Sequence, residues 1–248
     1  MAKQTSVITL EGRVGRLSFY KTKDGYLARE KGGVSKSRIM NDPKFARTRE
    51  NLQEFADNAS SSKLLRDALR PVVSKIGDSR LNLRITQAMM KVLKTDLLNT
   101  RGDRKVREGD WNLMKGMEMN ASSSLGSTIF MEIVYTDSPT AWEAGIAGFI
   151  PQDFLAVPRG ATHSRISATG VGLDFTTGIR TVQTVSSPLL PLNIPALAIS
   201  LPLNKTTLTG THRAFVLAVE FIQLVNGVEY AINNGANNAA AIITTEKV

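Results

Sequence analysis

The chain contains no cysteine. That single absence excludes disulfides, thiolate metal centres and thiol nucleophiles, and it removes the residue that would report a redox compartment. Histidine is nearly as scarce, with only His163 and His212. Long apolar runs are missing too. The longest, Ala214 to Val219 and Ala239 to Ile243, fall far below the roughly 20 residues that span a bilayer, so no membrane insertion is expected. The stretch up to Leu10 has one lysine and a broken apolar segment, too short for a secretory core. The reading is a protein made soluble in the cytoplasm.

Catalytic constellations are equally thin. A nucleophile beside a base, paired carboxylates or a metal cluster each need residues that converge. His163 in Ala-Thr-His-Ser-Arg-Ile and His212 in Gly-Thr-His-Arg-Ala both read as solvent-exposed histidines where a turn enters a strand, with no further ligand at a zinc spacing. Asp137, Asp153 and Asp174 lack the D-x-D-x-D-G pattern of a calcium loop and read as turn formers. Gly12-x-x-Gly15 and Gly32-Gly33 do not open onto a helix as a phosphate cradle must. The expectation is a protein that is not an enzyme, with no cofactor and no metal.

What is present is charge, unevenly placed. Of the net +9, residues 1–109 hold 24 Lys+Arg against 12 Asp+Glu, while residues 110–248 hold 7 against 10. A step of that size marks modules with different surroundings.

Patterning supports the same division. Val7, Thr9, Val14, Leu17 and Phe19 carry β character, Asp24-Gly25 supplies a two-residue hairpin turn, and Tyr26 to Arg29 form the returning strand. Two strands are marginal alone. Lys31 to Lys36 read as a flexible basic connector. Asp42-Pro43 then marks a helix start with Asp42 as N-cap, the helix running to about Asn58 with Phe45, Leu52 and Phe55 on one side. A second helix is expected from Ser60-Ser61-Ser62, kinked by Pro71, and a third from the stripe Leu81, Ile85, Ala88, Met89, Val92 and Leu93. Beyond Trp111 β-rich runs recur at 127–135, 144–150, 163–175, 180–185, 196–201, 213–225 and 239–245, with Asn226-Gly227 a further hairpin turn. The fold class is α+β: an N-terminal β-hairpin and about three helices, then an antiparallel β-sandwich of about seven or eight strands. The expected segments are a hairpin arm and connector over 1–35, a basic helical segment over 36–109 and a sandwich over 110–248.

Two stretches carry a resemblance: Leu17-Ser-Phe-Tyr-Lys-Thr-Lys-Asp-Gly-Tyr-Leu-Ala-Arg-Glu-Lys-Gly-Gly33 running into Asp42-Pro-Lys-Phe-Ala-Arg-Thr-Arg-Glu-Asn51, and Phe221-Ile-Gln-Leu-Val-Asn-Gly-Val-Glu-Tyr230. They resemble an uncharacterised family of roughly this length found in genomes of Bacteroidota. The likeness covers the hairpin, first helix and last hairpin. It implies a bacterial protein and brings no activity and no catalytic residue.

The expected function is structural: a homo-oligomer, a filament or shell, joined through the N-terminal hairpin arm, with Leu17, Phe19, Tyr20, Tyr26 and Leu27 as the candidate interface. The alternative is a nucleic-acid-associated protein that binds the phosphate backbone, or another polyanion, through Arg13, Arg16, Lys21, Lys23, Arg29, Lys31, Lys36, Arg38, Lys44, Arg47 and Arg49. A third reading, a glycan-binding sandwich, rests on Trp111, Trp142 and Tyr230, in a chain with only 6% aromatic residues.

Overall fold

The computed structural model describes residues 2–5, 8–30 and 32–248. The chain divides into two compact units, Met1–Arg49 and Glu50–Val248.

In the first unit the described residues form β1 (Ala2–Lys3), β2 (Gly12–Val14), β3 (Leu17–Thr22) and β4 (Gly25–Glu30), an antiparallel sheet in the order β1-β4-β3-β2. The expected hairpin is β3–β4, now the centre of a wider sheet. Its turn falls one residue earlier than Asp24-Gly25, because Thr22 and Gly25 are paired and Lys23-Asp24 are the loop. The Thr22 hydroxyl accepts from Asp24 N–H and donates to the Gly25 carbonyl, closing the loop there. Val7 and Lys31, which figure in the sequence reading, lie outside the described residues.

The connector expected over Lys31 to Lys36 is non-helical over its described residues 32–35, and an unanticipated short helix follows it before Asp42. Ser35 caps α1 (Lys36–Asn41) by accepting from Arg38 N–H. Asp42 acts as the expected cap for a 3-10 turn, Pro43–Phe45, accepting from Lys44 N–H at 3.0 Å. From there α2 (Ala46–Ala68) runs unbroken. The anticipated stop at Asn58 and restart at Ser60 do not occur: Ser61 and Ser62 are buried inside the helix, and Ser60 Oγ donates to the Asp57 carbonyl. A serine costs a helix only tenths of a kcal/mol, and packing of the buried face outweighs it. Pro71 does not kink α2, which ends at Ala68. It sits instead in the first turn of α3 (Arg70–Val73), where its missing N–H is not needed. The next helix, α4 (Leu81–Lys94), buries Leu81, Ile85, Met89, Val92 and Leu93, as the stripe predicts.

The rest of the second unit is built on β5 (Val134–Asp137), β6 (Ala141–Ile146), β7 (His163–Leu173), β8 (Arg180–Ser186), β9 (Leu190–Pro191), β10 (Ile199–Asn204), β11 (His212–Val225), β12 (Val228–Ala231) and β13 (Ala239–Lys247). Strand β11 is the spine. It pairs with β7 along one edge and with β13 and then β12 along the other, while β7 pairs outward with β8 and β9. A smaller antiparallel sheet has the order β10-β6-β5. Asn226-Gly227 forms the expected hairpin turn, with φ of 51° and 80°. The strand expected over 127–135 begins only at Val134, because Ser124 caps a helical turn at Leu125–Thr128.

Along β11 the apolar residues serve two faces. Phe215, Leu217, Val219 and Phe221 pack with Trp142, Ala144, Leu201 and Leu203 of the small sheet, forming the sandwich core. Ala214, Val216 and Ala218 pack with Leu65, Leu69, Ile85, Met89 and Trp111, forming a second core under the helices. A sheet covered on both faces explains why β11 reads as a nearly continuous apolar run. Across residues 109/110 the helices from Glu50 onward and the strands share a core. Gly235, at φ +77°, closes the same region. A Cβ there would lie 2.1 Å from the Lys75 carbonyl oxygen, so the close approach admits only glycine.

Candidate interaction surfaces

The first unit holds 12 Lys+Arg against 4 Asp+Glu, a balance of +8 out of the whole chain's +9. None of its described residues is buried. Strand register sorts its side chains onto two faces. Cross-strand partners Val14 and Leu17, then Phe19 and Ala28, then Lys21 and Tyr26 share one face. Arg13, Ser18 and Arg29, then Tyr20, Leu27 and Lys3 share the other. The candidate interface set is therefore split. Leu17, Phe19 and Tyr26 stand together, with Val14 at 64% exposure beside them, whereas Tyr20 and Leu27 belong to the opposite, basic face.

The candidate polyanion set is divided as well. Arg13 and Arg29 share the basic face, and the Arg29 guanidinium lies 5.4 Å from the Tyr20 ring centre. Lys21 stands on the apolar face, 5.4 Å from the Tyr26 ring. Arg16 is paired with Glu30 at 3.1 Å and Arg38 with Asp42 at 3.4 Å. Arg49 is a structural anchor, donating from Nη1 to the carbonyls of Ile39 and Asp42. Lys23 occupies the β3–β4 loop, and Lys36, Lys44 and Arg47 are exposed along the helical stretch. Lys31 lies outside the described residues. Lys3, beside Leu27, was not singled out from the sequence, because only strand pairing brings it to the sheet.

The second unit corrects two other expectations. His212 is not exposed. It is 1% accessible, enclosed by the rings of Trp111 and Phe175 with centroids at 5.5 and 4.9 Å. Its Nε2 lies 3.1 Å from the Arg107 carbonyl and its Nδ1 2.9 Å from the Thr211 hydroxyl, which suits a neutral ring with Nε2–H donating and Nδ1 accepting. Burial, helped by the charge of Lys247, pushes its pKa down to about 4. His163, by contrast, is half-buried at the start of β7. Trp111 and Trp142, two of the three aromatics on which a glycan platform would depend, are 2% and 1% accessible and present no face to a sugar ring. They fill the two cores instead.

Sequence reading also missed a buried ion cluster. Lys205 is buried, with Nζ against Asp137 Oδ1, 3.5 Å from Glu246 Oε1 and 5.6 Å from the Phe215 ring centre. Arg213 joins from β11, at 3.2 Å from Glu246. The cluster links β5, β11, β13 and the turn after β10, and every charge in it has a partner. It is a clasp between the two sheets. Among the described residues no group of His, Asp and Glu gathers as a metal site, and no helix is long and apolar enough to cross a membrane.

No family model, no curated protein and no solved structure matches this chain.

Proposed function

We propose that this is a non-enzymatic assembly protein whose N-terminal sheet docks, through the face bearing Val14, Leu17 and Phe19, on a neighbouring copy. The observation that carries the reading is the lack of any buried residue among those described in Met1–Arg49. A small sheet is stable when one hydrophobic face is covered, and cover supplied by the next copy turns a local deficit into an assembly force. An arm that engages a different patch on its neighbour makes a head-to-tail contact, which closes into a ring or shell or extends as a filament. Light scattering coupled to size-exclusion chromatography tests it: the full chain gives a multiple of its 27.0 kDa mass and a version without residues 1–35 gives one copy. Equal single-copy masses overturn it.

A second reading is favoured by the charge balance. The opposite face of the same sheet aligns Arg13 and Arg29 with Tyr20, a pattern suited to a phosphate backbone and a stacked base. Binding of a single-stranded oligonucleotide at low salt that weakens steeply as salt rises supports it; no shift at low salt dismisses it.

A further inference from the structure

Between α2 and α4 lies an open groove of roughly 660 Å³, lined by Phe55, Asn58, Leu83, Met90, Lys91 and Lys94 among others. Phe55 and Leu83 are 59% and 57% exposed, and Leu52, one turn from Phe55, is 54% exposed. Beyond Lys94 the chain continues into Leu97 and Leu98, exposed to 94% and 79%. The loop bearing them is held in place: the buried Asp96 carboxylate accepts from the backbone N–H of Leu98, Asn99 and Lys105, and from Asn99 Nδ2.

The floor of the groove is fixed, and the charge of its lining is of one sign. Asn58 is fully buried; its Nδ2 donates to the Thr86 carbonyl at 3.0 Å, but its Oδ1 has no partner among the described residues. The bond to Thr86 fixes Asn58 between the two helices. The lining also carries three cations, Arg84, Lys91 and Lys94, and no acid. Arg84 is held by Asp78 at 2.5 Å, whereas Lys91 and Lys94 form no ion pair among the described residues and are exposed.

We propose that the α2–α4 groove binds an acidic amphipathic helix of a different protein, its apolar stripe against Phe55, Leu83 and Met90 and its carboxylates against Lys91 and Lys94. A trough between two helices takes a third helix whose apolar residues are spaced i, i+3, i+4 and i+7. A second copy is a poor occupant. The first unit carries +8, and the groove face meeting itself would oppose lysines to lysines. A bilayer is a poor occupant as well, since the groove is concave. The site is distinct from the N-terminal sheet and does not depend on it.

The test uses the full chain and two fluorescent alanine-based peptides with leucine at i, i+3, i+4 and i+7, one flanked by glutamate and one by lysine. Anisotropy shows the glutamate peptide binding and the lysine peptide not. Phe55→Ser with Leu83→Ser weakens the glutamate peptide by on the order of tenfold or more. Lys91→Glu with Lys94→Glu reverses the preference, so that the lysine peptide now binds. All four positions are exposed, and circular dichroism checks that the variants remain folded. The proposal fails if the glutamate peptide does not bind or binds both double variants as well as the parent. It fails too if phosphatidylglycerol–phosphatidylcholine vesicles are captured through these residues in the peptide's place, or if Phe55→Ser with Leu83→Ser alters the mass of the protein in solution.

Discussion

In the N-terminal sheet Val14, Leu17 and Phe19 line one face and no described residue of the unit is buried, whereas in the second unit β11 alone buries Phe215, Leu217, Val219 and Phe221 on one side and Ala214, Val216 and Ala218 on the other. Charge divides along the same line, +8 in the first unit and the remaining +1 in the second. The contrast teaches that composition along a chain reports surroundings rather than fold. The second unit is a body because its sheet is covered twice by its own elements. The first contains well-paired strands and turns, yet buries too little apolar area to make a core of its own.

The comparison breaks most readily at the two cores. Trp142→Ala removes a ring stacked on Phe215 at 5.3 Å and on Tyr135 at 5.6 Å, and should cost the body about 3–5 kcal/mol in urea unfolding. Phe19→Ala should leave that same transition within about 0.5 kcal/mol. Equal losses would show that the two units do not differ in the way their burial implies.

Acid should sharpen the contrast next. His212 has a folded pKa of about 4 against an ordinary value of 6.5. Above pH 6.5 neither state holds the proton, and the stability of the neutral, buried ring is fully present. As pH falls from 6.5 toward 4 the unfolded chain takes a proton that the fold excludes, so stability should drop by on the order of 3 kcal/mol. Urea titrations of the parent and His212→Gln at pH 7 and 4.5 check this: the parent loses stability across the interval and the variant loses much less.

A smaller effect tests the seam between helices and sheet layer. Burial works to raise the Asp78 carboxyl, but it is outweighed by hydrogen bonds from Arg80 N–H, Ala121 N–H and the Arg84 guanidinium, which hold it below the usual carboxylate range. Asp78→Asn should cost about 2 kcal/mol, the scale for a hydrogen bond to a charged group, measured by thermal unfolding at neutral pH. Smallest of all, Arg16→Gln in the first unit breaks an exposed pair with Glu30 and should change stability by less than about 0.5 kcal/mol.

Much of this was legible in the residues. The α4 stripe, the Asp42 cap, the Asn226-Gly227 turn and the strand-rich second half follow from local periodicity and turn chemistry, which need only near neighbours in the chain. The errors fell where distant partners decide. Ser60 to Ser62 look like a helix start until Leu65 and Ala68 are packed against the sheet. Between the connector and Asp42 lies a short helix, Lys36–Asn41, that Ser35 caps. His212 looks like a turn residue until Trp111 and Phe175 close over it. The interface candidates were drawn from one hairpin, and the pleat then sent Tyr20 and Leu27 to the face opposite Leu17 and Phe19.

By itself the sequence determined the absence of cysteine chemistry, the concentration of positive charge toward the N-terminus and the positions of most helices and strands, because each depends on composition or on neighbours within a few residues. Only the tertiary structure decided that the helices from Glu50 onward and the sandwich share a core, that Trp111, Trp142 and His212 are enclosed, and that Phe55, Leu83, Leu97 and Leu98 remain exposed. Burial is a property of what folds over a residue from elsewhere in the chain. No periodicity shows whether an apolar stripe will find such a cover.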